Sequence, residues 1–238
     1  MQPWKDRWFH DVPALLARTK DYYAEFNKNP FRVTAKQIIN LRGWEVQDPE
    51  GFVSTLEELS CLYVPSAMDP GPMVVFPEVD THGEPLRAQT KPLYELLAQS
   101  KYVTIGVSKR DFCGPVWLGN QPETLERILK KGHVVVCEGP FDLLALRIAN
   151  PEIPSLSSLT KNLGEDHLLY LRLLGVRTLH LMYDNELSEA GEKSMRILKK
   201  NLHGIMDVNV LLCPADDPSD CLKSRSKTKA LQSILADL

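Results

Sequence analysis

The sequence predicts an α/β protein with a central parallel four-stranded sheet in its C-terminal part, preceded by a smaller α+β region that carries basic residues. Two observations predict this class. Beyond residue 132, short apolar runs alternate with longer amphipathic segments, as in strands that are connected by helices. Before that point, helical patterns are followed by a β-rich stretch over residues 73–120. We therefore expect two domains, residues 1–132 and 133–238.

The N-terminal domain is predicted to begin with three helices. Apolar residues at helical spacing predict helices over residues 12–27, 34–41 and 54–62, and Gly43 is a typical stop for the second. A connection rich in proline and glycine, residues 65–72, leads to a buried strand at 73–76. His82-Gly83-Glu84 is typical of a hairpin turn.

Four strands separated by three helices are predicted in the C-terminal domain. The strands are expected at residues 133–137, 153–156, 178–183 and 208–212, and the helices at 141–149, 164–174 and 188–202. Because a helix separates each strand from the next, right-handed crossovers and a parallel sheet follow.

Composition and charge restrict the classes of function. No apolar run approaches the roughly 20 residues that cross a bilayer, so we expect no membrane partner and a cytoplasmic location. Five scattered cysteines without a CxxC pair argue against a disulfide framework and a structural zinc site. A net charge of −3 excludes a uniformly basic nucleic-acid coat. Residues 1–42 and 85–132 are nevertheless locally basic. These stretches either line a groove that binds a polyanion or form ordinary solvated faces.

Carboxylates follow three of the four predicted C-terminal strands. They are Glu138 and Asp142 after the first strand, Asp184 and Glu186 after the third, and Asp216, Asp217 and Asp220 after the fourth. Ligands of open parallel sheets bind beyond the carboxyl ends of the strands, where these acids would repel one another. A divalent cation removes that repulsion, and a set of oxygen ligands suits Mg²⁺ or Mn²⁺. The sequence therefore predicts a Mg²⁺ or Mn²⁺ site at this edge.

Three ordered motifs at these strand ends resemble the TOPRIM signature. They are Glu138-Gly139-Pro140-Phe141-Asp142, Asp184-Asn185-Glu186 with Ala190-Gly191, and Asp217-Pro218-Ser219-Asp220. The resemblance implies a Rossmann-like fold in which the first glutamate is a general acid/base or metal organiser and later acids hold Mg²⁺. It implies catalytic roles for Glu138, Asp142, Asp184 and Glu186, and metal ligation by Glu138, Asp184, Glu186, Asp217 and Asp220.

The chain departs from the TOPRIM pattern at two places. The second acid of the pair is Glu186, whose longer side chain can place a metal differently or mark an altered activity. Ser155-Leu156-Ser157-Ser158 stands where similar primases have a glycine-containing turn.

The region before the TOPRIM-like domain resembles the basic subdomain of DnaG-type and phage primases. The similar segments are Gly71-Pro72-Met73-Val74-Val75-Phe76-Pro77, Arg87-Ala88-Gln89-Thr90-Lys91 and Lys101-Tyr102. This resemblance implies that Arg87, Lys91 and Lys101 bind template and nucleotide phosphates. The sequence contains neither a zinc ribbon nor a GxxxxGK[ST] loop, so we expect a separate zinc-binding protein or helicase as a possible partner.

The resemblance favours a DNA primase, a metal-dependent nucleotidyltransferase that makes short RNA on single-stranded DNA from ribonucleoside triphosphates. Two alternatives stay open: a TOPRIM nuclease that uses the same metals to activate water, and a non-catalytic DNA-binding scaffold. A type IA topoisomerase is disfavoured, because it needs a tyrosine nucleophile on a large downstream domain.

Overall fold

The computed structural model describes residues 30–64, 73–79, 85–92, 103–106, 117–159, 163–183, 202 and 204–238. The chain divides into two compact units, Met1–Cys113 and Gly114–Leu238. Helices and strands are numbered here over the described residues only. None of the helices among them is long and apolar enough to cross a membrane.

The N-terminal unit is an α+β unit. Helices α1 (Pro30–Arg42) and α2 (Pro49–Glu58) precede four strands, β1 (Leu62–Val64), β2 (Met73–Val79), β3 (Pro85–Pro92) and β4 (Val103–Gly106). The strands form an antiparallel sheet in the order β1-β2-β3-β4. The predicted helix at 54–62 is wrong at both ends. Asp48 caps α2 at Pro49, and the backbone leaves the helix after Glu58 to form β1.

The apolar faces of α1 and α2 are buried in this unit. Ile38, Phe52 and Leu56 are fully buried, and Trp44 contacts Phe52 edge to face with ring centroids 6.1 Å apart. Strand β2 is buried on both faces from Met73 to Glu78. The predicted helix at 12–27 and the predicted hairpin turn at 82–84 lie outside the described residues.

The C-terminal unit contains the predicted parallel sheet. Its elements are α3 (Pro122–Lys131), β5 (His133–Cys137), α4 (Pro140–Ala149), β6 (Ser155–Ser157), α5 (Glu165–Leu173), β7 (Thr178–Leu181), β8 (Asp207–Val210), α6 (Pro218–Cys221) and α7 (Arg225–Ala236). All four strands are parallel, in the order β6-β5-β7-β8. The α/β fold class and the parallel four-stranded sheet are therefore confirmed.

Strand β5 lies between two neighbours, and all five of its residues are buried. This explains its continuous apolar run, because strands covered on both faces lose the polar alternation. A cluster of buried side chains joins the strands to α3 and α5 and includes Ile128, Val134, Leu171 and Leu179. The predicted helix at 188–202 lies outside the description except for Leu202, which is buried in this cluster.

A buried arginine ties α4 to neighbouring segments. The Arg147 guanidinium donates hydrogen bonds to the Ser155 hydroxyl at 2.7 Å, the Thr124 hydroxyl at 2.6 Å and the Gly119 carbonyl at 3.3 Å. Burying a charge costs free energy unless such partners replace water. Arg147 therefore fixes β6 and the start of α3 against α4.

Two buried histidines meet on adjacent strands of the parallel sheet. Nδ1 of His133 on β5 lies 3.4 Å from Nε2 of His180 on β7. Burial lowers the pKa of both side chains; the Lys131 charge lowers the pKa of His133 further, and His133 does the same to His180. The pair is therefore neutral near pH 7 and shares one hydrogen bond.

Candidate active site at the carboxyl edge of the parallel sheet

Glu138 directly follows β5, as the sequence predicts. Its side chain is half-buried, and its backbone carbonyl accepts a hydrogen bond of 2.8 Å from the Ser157 hydroxyl at the end of β6. Gly139 then starts α4 in an extended conformation. The end of the central strand thus fixes the backbone from which the Glu138 carboxylate projects.

Asp142 is buried and holds two segments together. Its Oδ2 accepts a hydrogen bond of 2.9 Å from the Gly139 amide, and its Oδ1 accepts one of 3.3 Å from the Ser219 amide. Carboxylates commonly accept from free amides in the first turn of a helix. Asp142 therefore holds the 217–220 segment beside the start of α4, close in sequence to Glu138.

Asp217 caps the short helix α6. Its Oδ1 accepts hydrogen bonds from the Asp220 amide at 2.6 Å and from the Ser219 hydroxyl at 2.8 Å. The Asp220 carboxylate forms an ion pair with the Lys223 ammonium. Both acids are half-buried. Among the described residues, the Asp217 carboxylate accepts hydrogen bonds only through its Oδ1 atom.

Three predicted site residues lie outside the described residues. They are the predicted metal ligands Asp184 and Glu186 and the predicted phosphate-binding residue Lys101. Among the described residues, no three carboxylate, histidine or cysteine side chains are arranged to hold a metal. The donor chemistry of Glu138 and Asp217, all carboxylate oxygen, suits a hard divalent cation. A complete site would thus need oxygen ligands from residues 184–186.

The predicted phosphate ligands Arg87 and Lys91 lie on one face of β3 and are buried. Arg87 is 2% exposed and forms an ion pair with Glu78, which is also 2% exposed and lies opposite it on β2. Lys91 is 5% exposed and lies opposite Val74. Arg87 therefore has a structural partner inside its own unit, which its position in the sequence did not indicate.

Comparison with solved structures identifies the fold. The chain is similar to the RNA polymerase domain of Mycobacterium tuberculosis primase DnaG, with a TM-score of 0.65 and 19% identity over 95% of this chain and 84% of that one. It is also similar to a DnaG primase catalytic domain bound to single-stranded DNA (TM-score 0.62, 16% identity, 93% of this chain and 78% of that one). This is the fold of the DnaG primase core.

A third similar structure contains the zinc-binding and RNA polymerase domains of Aquifex aeolicus primase. The TM-score is 0.64 and the identity 20%, over 93% of this chain and 59% of that one. No protein-family model and no curated protein sequence matches the chain. The resemblance to the DnaG-type core that the motifs indicate is thus confirmed as a likeness of fold.

The sequence assigns no role to two polar residues at this edge of the DnaG-like core, Ser158 and Tyr183. The Ser158 amide and hydroxyl both donate to the Cys137 carbonyl, at 3.1 and 3.3 Å. Burial raises the pKa of Tyr183 far above its usual range, and the nearby Cys137 and Glu138 raise it further. Tyr183 therefore stays protonated close to Glu138. Tyr183 could have been identified from the sequence by its position just after β7 and directly before Asp184.

The turn after β6 is strained where the sequence departs from the TOPRIM pattern. Leu159 adopts a φ of 57°, in the left-handed region that glycine tolerates best. The Ser157 hydroxyl accepts a hydrogen bond of 3.3 Å from the Leu159 amide and helps to hold this conformation. The backbone thus makes a glycine-like turn without a glycine at this position.

Proposed function

We propose that this chain is a primase-type nucleotidyltransferase that joins ribonucleotides into short RNA on a single-stranded DNA template. The observation that carries the proposal is the likeness of the fold to DnaG primase cores, which extends over 95% of the chain in the first comparison. The position of Glu138 at the end of the central parallel strand supports it. So does the solved complex of a similar catalytic domain with single-stranded DNA.

The proposal includes Mg²⁺ or Mn²⁺ held by Glu138, Asp184, Glu186, Asp217 and Asp220. When bound, such a cation neutralises negative charge on the transferring phosphates. The ion pair of Asp220 with Lys223 reduces the charge that Asp220 offers, so we assign Asp217 the larger share of ligation. Asp142 has both oxygens on backbone amides and acts by positioning the 217–220 segment.

We assign Glu138 the role of binding and orienting the 3′-hydroxyl of the growing RNA. A half-buried carboxylate on a fixed backbone can accept a hydrogen bond from that hydroxyl and orient its oxygen toward the α-phosphate. The protonated Tyr183 hydroxyl nearby carries no charge that would oppose the approach of triphosphate. The chain's own contribution is therefore positioning and acceptance of one proton.

Phosphate binding is assigned first to Lys101. Arg87 and Lys91 are buried on β3, and the guanidinium of Arg87 is paired with Glu78. A direct contact with a phosphate would require Arg87 to leave that partner. We therefore give Arg87 and Lys91 a supporting role, in which they hold β3 in place within the N-terminal unit.

Partners follow from the proposed reaction. The substrates are single-stranded DNA and ribonucleoside triphosphates, and template selection or delivery is assigned to a separate zinc-binding protein or helicase. The reaction places the protein in the cytoplasm of a bacterium or of an infected host cell, where both substrates are present.

The experiment uses circular single-stranded DNA, four labelled ribonucleoside triphosphates and Mg²⁺ or Mn²⁺. We expect short RNA products and intact circles. Because a circle offers no 3′ end to extend, any labelled RNA must have been started de novo. Linearised circles without RNA would replace the proposal with a metal-dependent nuclease. Binding with neither product, including in the presence of a helicase or zinc-binding partner, would replace it with a DNA-binding scaffold.

A further inference from the structure

Two cysteines that are eight positions apart in the sequence meet in the C-terminal unit. The Sγ atoms of Cys213 and Cys221 lie 3.6 Å apart, and both side chains are buried. Cys213 precedes the acidic segment 214–220, and Cys221 is the last residue of α6. The two thiols therefore bracket the segment that contains Asp217.

The pair contacts the acidic segment directly. Cys221 Sγ lies 3.8 Å from the backbone carbonyl oxygen of Asp217, the residue that caps α6. A change at sulfur is thus transmitted to the helix whose first turn holds Asp217 and Asp220. Leu212, next to Cys213, is 77% exposed, so the pair lies just beneath the surface.

The distance between the two thiols suits a two-step oxidation. A thiolate is the reactive form of cysteine, and a second thiol within contact distance is the usual resolving group. With their Sγ atoms 3.6 Å apart, one of the two cysteines can be oxidised first and the other can resolve it.

We propose that Cys213 and Cys221 form a reversible oxidation site that converts to an intramolecular disulfide and fixes the acidic segment between them. The oxidant is a hydroperoxide, with hydrogen peroxide as the simplest case. The thiolate of one cysteine attacks a peroxide oxygen, the O–O bond breaks, and hydroxide leaves to give a sulfenic acid. The thiol of the other cysteine then attacks that sulfur, an S–S bond forms, and the S–O bond breaks as the oxygen leaves in water with the thiol proton.

The products balance this sequence. Two thiols and one hydrogen peroxide give one disulfide and two waters, the sulfurs losing two electrons that the peroxide oxygens gain. Closing the bond draws the sulfurs from 3.6 Å to about 2.05 Å, which requires the two side chains to rotate or α6 to shift toward Cys213. Two equivalents of a small thiol reduce the disulfide back to two cysteine thiols and form their own disulfide, as expected for a sensing disulfide in a reducing compartment.

Cys61 provides a matched control inside the same chain. It is fully buried, burial raises the pKa of its thiol, and its Sγ lies 3.9 Å from the Leu59 carbonyl oxygen. It shares burial with the pair, but the contact of its Sγ atom among the described residues is a backbone carbonyl and not a second thiol. A general sensitivity of buried thiols to peroxide would therefore appear at Cys61 too.

The first test treats the full chain with hydrogen peroxide at neutral pH and maps disulfides by differential alkylation and peptide mass. We expect a bond between Cys213 and Cys221 that dithiothreitol removes, that C213S and C221S abolish, and that Cys61→Ala leaves unchanged. No bond between the two, oxidation of Cys61 at the same rate, or cross-linking of either cysteine to Cys113 or to a second chain would overturn the proposal.

The second test measures hydrogen exchange of the amides from Ser219 to Lys223. Oxidation should slow their exchange at least several-fold in the parent and leave it unchanged in C213S. Unchanged exchange in a parent that carries the disulfide would overturn the link to the acidic segment. Neither readout uses RNA synthesis, so this proposal and the proposed function can fail separately.

Discussion

Asp142 and Ser219 are 77 positions apart in the chain, yet the Asp142 carboxylate accepts a hydrogen bond of 3.3 Å from the Ser219 amide. The other oxygen of the same carboxylate accepts from Gly139 at the start of α4. One side chain thus fixes the distance between the end of β5 and the acidic segment. The arrangement of Glu138 relative to Asp217 depends on this contact.

Asp142→Asn should destabilise the fold by about 1–3 kcal/mol, because one of the two buried amides would face an NH₂ group in place of an oxygen. Urea unfolding measures this loss, and amide exchange at Ser219 should accelerate. Asp166→Asn, an exposed acid in the first turn of α5, is the matched control and should change stability by much less. Equal stability of Asp142→Asn and the parent would show that the bridge contributes nothing.

The buried ion pair in the N-terminal unit gives a second prediction. Arg87→Met should cost about 3–5 kcal/mol, because it leaves the Glu78 carboxylate buried without its cation. The double variant Arg87→Met/Glu78→Leu should recover part of that loss, since no charge is left buried. Denaturant unfolding of the parent, both single variants and the double variant forms a complete cycle. Additive effects would argue that the two side chains do not interact.

The histidine pair predicts a fall in stability on acidification. Both pKa values are lowered in the folded protein, so the unfolded chain binds more protons in this range. The stabilising contribution is complete above the unfolded pKa of about 6.5 and is lost as the pH falls below it, by up to about 1.4 kcal/mol per pH unit for each histidine. His180→Gln should reduce the dependence of the unfolding free energy on pH between pH 7 and 5. An unchanged slope in this variant would assign the pH dependence to other groups.

Metal binding gives a prediction that does not need activity. If the acids at the sheet edge bind Mg²⁺ or Mn²⁺ in the folded state, adding the ion should raise the thermal midpoint, and the rise should grow with the logarithm of the ion concentration above the dissociation constant. Asp184→Asn should largely remove this rise, since it deletes one proposed ligand. Differential scanning calorimetry with and without a chelator measures both. Identical rises in the parent and the variant would place the metal elsewhere.

Much of the C-terminal fold follows from the sequence. The apolar run His133–Cys137 predicts its strand at the observed bounds, because a strand covered on both faces needs no polar alternation. The periodicity does not predict helix α3, since charged residues outnumber apolar ones in Pro122–Lys131 and only Thr124 and Ile128 are buried. The apolar pattern continues from Leu56 through Leu62 across the end of α2, so it does not separate that helix from the start of β1.

The candidate site is less visible in the sequence. The acids after β5 and β8 are apparent from their positions, and their catalytic and metal-binding roles stay predictions. The function of Asp142 as a bridge depends on Ser219, and the burial of Arg87 depends on Glu78 across the antiparallel strands β2 and β3. Such contacts are set by tertiary packing, which local periodicity does not encode.

The most direct test of the central claim compares the parent with Glu138→Gln in RNA synthesis on circular single-stranded DNA. The exchange keeps the size of the side chain and removes the oxygen charge that would accept the proton, so product should fall by at least about 100-fold while the thermal midpoint stays nearly unchanged. Glu126→Gln, an exposed acid on α3, should synthesise RNA at the parental rate. Parental synthesis by a folded Glu138→Gln would contradict the account.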